Sequence, residues 1–135
     1  MAVYLANTGV LTVNAVDLST LVTSVTINRA ADELEITALG DSGHRYIKGL
    51  EASSITIDFI NDSATSKTLQ TLNGQWGNNV TVTFKQLDSA VAATNPLYTM
   101  TCLINNTTPV NGTVADLSTQ SVTWNVSGTI AITTS

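Results

Sequence analysis

Charge is what this sequence has least of. Charged residues make up 11% of its 135 positions, against about 25% in ordinary soluble domains. Five are Lys or Arg and ten are Asp or Glu, giving a net charge of −5 and a pI near 4.4. That balance argues against gripping a nucleic-acid backbone, where Lys and Arg must displace counterions. It leaves room for DNA to pass close by, because a neutral or acidic wall lets it slide without sticking. A single cysteine, Cys102, makes an intrachain disulfide impossible. No apolar run approaches the ~20 residues of a membrane-spanning helix. The opening MAVYLANTGVLTV lacks the basic start and continuous apolar run of a signal peptide. The expectation is a soluble chain with no membrane partner. Two Trp, three Tyr and two Phe are too few to build a sugar-binding platform once alternation has placed most of them inward.

What fills the space is threonine, serine and asparagine. The 23 threonines favour pleated, half-buried strands. A surface of neutral hydroxyls suits a protein largely covered by copies of itself, since a free monomer usually carries more charge. The length fits one domain, residues 1–135, with a real core. Period-two alternation predicts strands over 10–16, 21–28, 52–60, 79–87, 97–105 and 119–128, with a short addition after 129. Ile55, Ile57 and Phe59 point one way and Ser54, Thr56 and Asp58 the other. Asp17-Leu18-Ser19-Thr20 reads as a turn. One helix is expected, about 63–76, with Asn61-Asp62-Ser63 as N-caps and Thr65, Leu69, Leu72 and Trp76 on its buried face. Gly77 is its expected stop. A faint echo runs through the chain: DLST recurs at 17–20 and 116–119, and SVTIN at 24–28 resembles SVTWN at 121–125. Its spacing preserves strand parity, which suggests two equivalent positions in a sandwich.

One stretch breaks this pattern. Residues 29–50, RAADELEITALGDSGHRYIKGL, hold nearly half of the charged side chains and the only histidine. A compact β-domain does not need so long an insertion between strands, and loops beyond about 12–15 residues are usually functional or disordered. Leu34, Ile36, Leu39, Tyr46, Ile47 and Leu50 argue against disorder, because they need something to pack on. Gly40-Asp41-Ser42-Gly43 is a strong turn signal. The stretch is read as a hairpin-like arm, with a strand over 33–38, that reaches a neighbouring subunit.

Chemistry has little to work with. Gly40-Asp41-Ser42-Gly43 partly matches a serine-protease nucleophile string, but His44 lies on the same short loop, poorly placed to serve Ser42 while a third group buttresses it. Asp32, Glu33, Glu35 and Asp41 lack the alternating oxygen ligands of a calcium loop; they read as an acidic edge, with Arg45 and Lys48 placed to pair with that edge on another copy. Cys102 shares a face with Met100 and Ile104 and reads as a buried hydrophobe. Trp76 and Trp124 read as core anchors. There is no zinc pattern and no phosphate-binding glycine loop. No enzyme, cofactor or metal is expected.

The order of motifs resembles a family. ADELEITALGD and HRYIKGLEASSITIDF (31–59), the helix after them, ATNPLY (93–98) and DLSTQSVTWNVSG (116–128) are together similar to the major tail tube proteins of long non-contractile-tailed, siphovirus-type bacteriophages. The resemblance implies a mainly β, sandwich or barrel-like tail-tube fold with one flanking helix and a long inter-strand loop at about 30–50. It implies hexameric rings stacked into a tube that encloses a channel for double-stranded DNA during ejection. Tail terminator, tape-measure and distal tail proteins would be its partners. The protein would be made in the host bacterial cytoplasm and end in the virion. The arm residues Asp32, Glu33, Glu35, Asp41, His44, Arg45, Tyr46 and Lys48 would form the contact between subunits or rings. Thr26, Asn28, Thr56, Asp58, Thr99, Thr101, Thr123 and Asn125 would face the lumen. Alternatives are a capsid decoration or minor tail protein, a bacterial secretion tube on the same fold, and a carbohydrate-binding sandwich.

Overall fold

A computed structural model describes residues 8–135. Ten strands and one short helix follow one another: β1 (Val10–Val13), β2 (Val16–Asp17), β3 (Val22–Asn28), β4 (Ala31–Glu35), β5 (Tyr46–Glu51), β6 (Ser54–Ile60), α1 (Thr68–Gly74), β7 (Asn79–Lys85), β8 (Leu97–Leu103), β9 (Thr119–Asn125) and β10 (Ala131–Thr133). They form a five-stranded sheet ordered β10-β8-β7-β1-β2, a three-stranded sheet ordered β3-β6-β9, and a separate two-stranded ribbon of β4 and β5. Every pairing is antiparallel. The mainly β, sandwich-like class expected from alternation is the one observed.

The core lies between the two larger sheets. Leu11, Val13, Val80, Val82, Met100 and Cys102 come from the five-stranded side; Ile55, Ile57, Phe59, Val122 and Trp124 come from the other. Each set occupies alternate positions, so hydrophobic burial fixes register, and a one-residue slip would turn the whole set to solvent. Phe59 and Trp124 meet at tilted geometry with ring centroids 6.3 Å apart. Cys102 is a core residue, and burial pushes its thiol up to about 12. At one corner the sheets are stitched together: Cys102 bridges to Val126, and the Ser127 amide donates to the Thr101 carbonyl at 2.7 Å.

Three local expectations are corrected. The strand expected over 10–16 folds back on itself, because Asn14 and Ala15 both take positive φ (52° and 65°); two such residues between paired Val13 and Val16 make a tight hairpin. The helix is half as long as expected. Ser66 at φ 60° stops a helix from running back to residue 63, and Asp62 makes a local turn by accepting from the Ala64 amide at 2.9 Å. The N-cap position is Lys67, without a side-chain cap; Asp62 serves the first turn through its backbone carbonyl, which accepts from the Leu69 amide at 3.0 Å. The buried face is therefore Thr68, Thr71 and Leu72. Trp76 falls past the helix end and is 57% exposed, so it is no core anchor, whereas Trp124 is fully buried. Gly77, at φ 81°, turns the chain toward β7 two residues after the helical C-cap Gln75.

The echo takes a clear form. SVTIN and SVTWN are β3 and β9, the two strands flanking β6. Val25 and Val122 both lie opposite Ile57, Thr26 and Thr123 opposite Thr56, and Ile27 and Trp124 opposite Ile55. The DLST copies are not equivalent: Leu18 is fully buried and Leu117 is 67% exposed.

Candidate assembly surfaces

Strands β4 and β5 make a ribbon whose principal packing neighbours are each other. Its register pairs Glu33 with Lys48, Leu34 with Ile47 and Glu35 with Tyr46. Directly opposed residues share a face, so Leu34 and Ile47 lie together, joined by Ile36 two positions on. The other face carries Glu33, Lys48, Glu35 and Tyr46. Gly49 makes room on the apolar face: a Cβ there would lie 2.9 Å from the Asp32 Cβ and 3.3 Å from the Leu34 Cγ. Leu34, Ile36, Tyr46 and Ile47 are each 42–51% exposed. An isolated two-stranded ribbon is marginal in water, and this one leaves its apolar face half exposed.

The ribbon's tip is held by its own polar groups. Asp41 accepts from the Ala38 amide at 2.7 Å and from Arg45 Nε at 3.0 Å. Thr37 Oγ1 donates to Glu35 at 2.8 Å and accepts from the Arg45 amide at 3.0 Å. His44 Nδ1 lies 2.6 Å from Glu35 Oε2. The Thr37 hydroxyl first, and His44 second, hold the Glu35 carboxyl below the usual glutamate range. Within the single chain the two basic residues of the arm already have acidic neighbours. Arg45 pairs with its own Asp41, and Lys48 stands opposite its own Glu33. Four-residue spacing across a turn makes the internal pair available without any neighbour. Asp32 and His44 remain exposed on the arm.

Glu51, which the sequence reading did not single out, ties the ribbon's base to the body. Its Oε2 accepts from the Ile130 amide at 2.9 Å and from Ser53 Oγ at 2.8 Å. Those bonds, the Ile130 amide foremost, lower its pKa. A folded-state pKa below the unfolded value means a contribution present above the ordinary glutamate range of about 4.3, lost as pH falls through the lowered value. Acidification from pH 5 toward pH 3 is expected to release the Ile130 amide and loosen the ribbon base before the core melts. Amide exchange at Ile130 followed by NMR checks this; protection unchanged until global unfolding would count against it.

The lumen candidates divide between two faces. Thr26, Thr56 and Thr123 form one row across the three-stranded sheet, with the Thr56 and Thr123 hydroxyls 3.0 Å apart. Asn28, Ser54 and Asn125 form a second row, and Ser24, Asp58 and Ser121 a third. These side chains point away from the core, giving a surface of hydroxyls and amides with one carboxylate. Thr99 and Thr101 lie instead on the outer face of the five-stranded sheet, opposite Thr83 and Thr81. A sandwich cannot turn both outer faces to one channel, so the eight residues cannot all line it. Alternation separates inward from outward positions but does not tell which sheet a strand joins.

The fold and these surfaces define a class: a β-sandwich subunit with a projecting, half-apolar ribbon and a nearly uncharged polar sheet face. No protein-family model and no curated protein matches the chain. Among solved structures it is similar to a chain of the tail of an empty gene transfer agent particle, a helical reconstruction with C6 symmetry. The TM-score is 0.60 at 12% identity, over 84% of this chain and 82% of that one. At that identity the fold is what is shared.

Proposed function

We propose that this chain is a structural subunit of a phage-like tail tube, not an enzyme. It forms hexameric rings that stack into a tube, enclosing a channel through which double-stranded DNA passes. The observation that carries the reading is the joint presence of a sandwich similar to a chain of a C6-symmetric tail and an arm whose apolar face stays about half exposed among the described residues. The siphovirus-type tail, the place in the virion and the terminal partners (tail terminator, tape-measure and distal tail proteins) belong to this proposal. Electron microscopy of the purified protein at high concentration, with its solution mass, tests it. Stacked six-fold rings or hollow filaments are expected; a stable trimer would favour a decoration protein.

Within the proposal, the three-stranded sheet supplies the lumen. Its outer face has hydroxyls and amides, no Lys or Arg, and Asp58 as its single carboxylate. A ring of such carboxylates repels DNA only near the wall, since the Debye length is about 8 Å at physiological salt. Asp58→Lys is expected to give tubes of normal shape with slowed DNA passage, read from ejection kinetics. Unchanged kinetics would place Asp58 away from the lumen.

A further inference from the structure

The two edges of the three-stranded sheet differ. Along β9 the outward groups are occupied by the same chain. Asn111 Nδ2 donates to the Thr119 carbonyl at 2.7 Å and Asn106 Nδ2 to the Thr123 carbonyl at 2.9 Å. Beyond the strand, the Ser127 amide donates to Thr101 of β8. These contacts reach Thr119 and Thr123, so the edge is partly covered, a common protection against unwanted strand pairing. The β3 edge has no such cover: among the described residues no strand pairs with its outer side.

Beside that open edge the sandwich gapes. A cleft of about 570 Å³ runs between β3 and the facing sheet, with Leu11, Val22, Val25, Ile27, Phe84 and Tyr98 in its wall. Among the described residues Arg29 is the one charged residue lining it, and none of its lining comes from positions 31–51. The chain's own ribbon therefore does not fill it. The ribbon presents the complementary surface: an apolar strip of Leu34, Ile36 and Ile47 with Asp32 on the same face beside Gly49, and, among the described residues, free strand edges of its own.

We propose that the β3 edge and its cleft receive the apolar face of the β4–β5 ribbon of a second copy of this chain. Leu34 and Ile47 cover Val25 and Ile27, Asp32 on the same ribbon face meets Arg29, and backbone groups of the ribbon add to the open edge. Donor and acceptor surfaces lie on different parts of one chain, so the contact is head-to-tail and each copy leaves one of each unsatisfied. Such contacts close into rings or propagate into filaments. This inference rests on the tube-subunit reading and names the surfaces that meet.

The test mixes two full-length single variants, Thr23→Cys in the cleft wall and Leu34→Cys on the ribbon, at assembly concentration with a short bismaleimide cross-linker. Cys102 is buried and does not compete. A cross-linked dimer is expected in the mixture, at least ten-fold above either variant alone; Ile47→Cys replaces Leu34→Cys as a second probe of the ribbon. Rings visible by microscopy but no mixed dimer with either probe would overturn the docking and leave the tube reading standing. So would preferential linking of Thr23→Cys to Ser121→Cys on β9. Neither assembly nor cross-linking at any concentration would overturn both.

Discussion

Leu34→Asp combined with Ile47→Asp is expected to abolish assembly while the monomer stays folded. Both side chains are about half exposed in the single chain, so neither anchors the core, and surface changes of this kind usually move stability by within about 0.5 kcal/mol. In an assembled contact each would be buried. Fully burying an exposed Leu or Ile contributes about 1.5–3 kcal/mol; half of each is already buried in the single chain, so losing two removes about 1.5–3 kcal/mol per contact. At about 1.4 kcal/mol per factor of ten, the critical concentration rises about ten- to a hundred-fold. Desolvating two new carboxylates adds to that. Light scattering against concentration, with circular dichroism melting as the folding control, reads both halves. Assembly at wild-type concentration would remove the ribbon from the interface.

Trp124→Ala is the expected worst single change for folding. The indole is fully buried, packs against Phe59, and its Nε1 donates to the Asn106 carbonyl at 3.1 Å. Truncating a buried aromatic to alanine typically costs about 3–5 kcal/mol, a large share of the about 5–15 kcal/mol that holds a domain together. The loss also frees the segment whose Asn106 side chain covers the β9 edge. Trp124→Phe keeps most of the volume and gives up the hydrogen bond, so about 1 kcal/mol is expected. Urea unfolding followed by far-ultraviolet circular dichroism separates the two; equal midpoints for both variants would show that the hydrogen bond, not the packing, dominates.

The core was legible because burial in a sandwich writes itself as alternation. Ile55, Ile57 and Phe59 could be assigned inward from residues 54–60 alone. The arm was legible from its charge and length, and its division into two strands from Gly40-Asp41-Ser42-Gly43. The helix was overextended because a face drawn through Thr65 and Trp76 ignores the left-handed backbone at Ser66, which no periodicity announces. The internal Arg45–Asp41 pair was not legible, because a sequence does not show how a turn brings i and i+4 together. Asn95 shows the same limit: the ATNPLY motif was noticed, but not that this side chain is buried, accepting from the Leu87 amide at 3.1 Å and donating to the Leu87 carbonyl at 3.1 Å. Thr99 and Thr101 were placed with Thr56 because polar faces look alike whichever sheet carries them.

The near-identity of β3 and β9 has a consequence for how the chain finds its fold. Strand β6 has two candidate partners presenting Ser, Val and Thr in the same order at the same heights. The closer one, β3, pairs Thr26 with Thr56, 30 residues on across the β4–β5 arm, while Thr123 is 67 residues from Thr56. Local pairings form first, since closing a longer loop costs more entropy. While only β3 is on β6, the other side of β6 stands vacant. Any second chain offering its own SVTIN segment fits that vacancy as well as the late-arriving β9 does, apart from the Trp124 ring and the Cys102–Val126 bridge. Those two features decide between a completed monomer and a pair of chains that have exchanged strands, so the hazard in making this protein in quantity is greatest before β9 arrives.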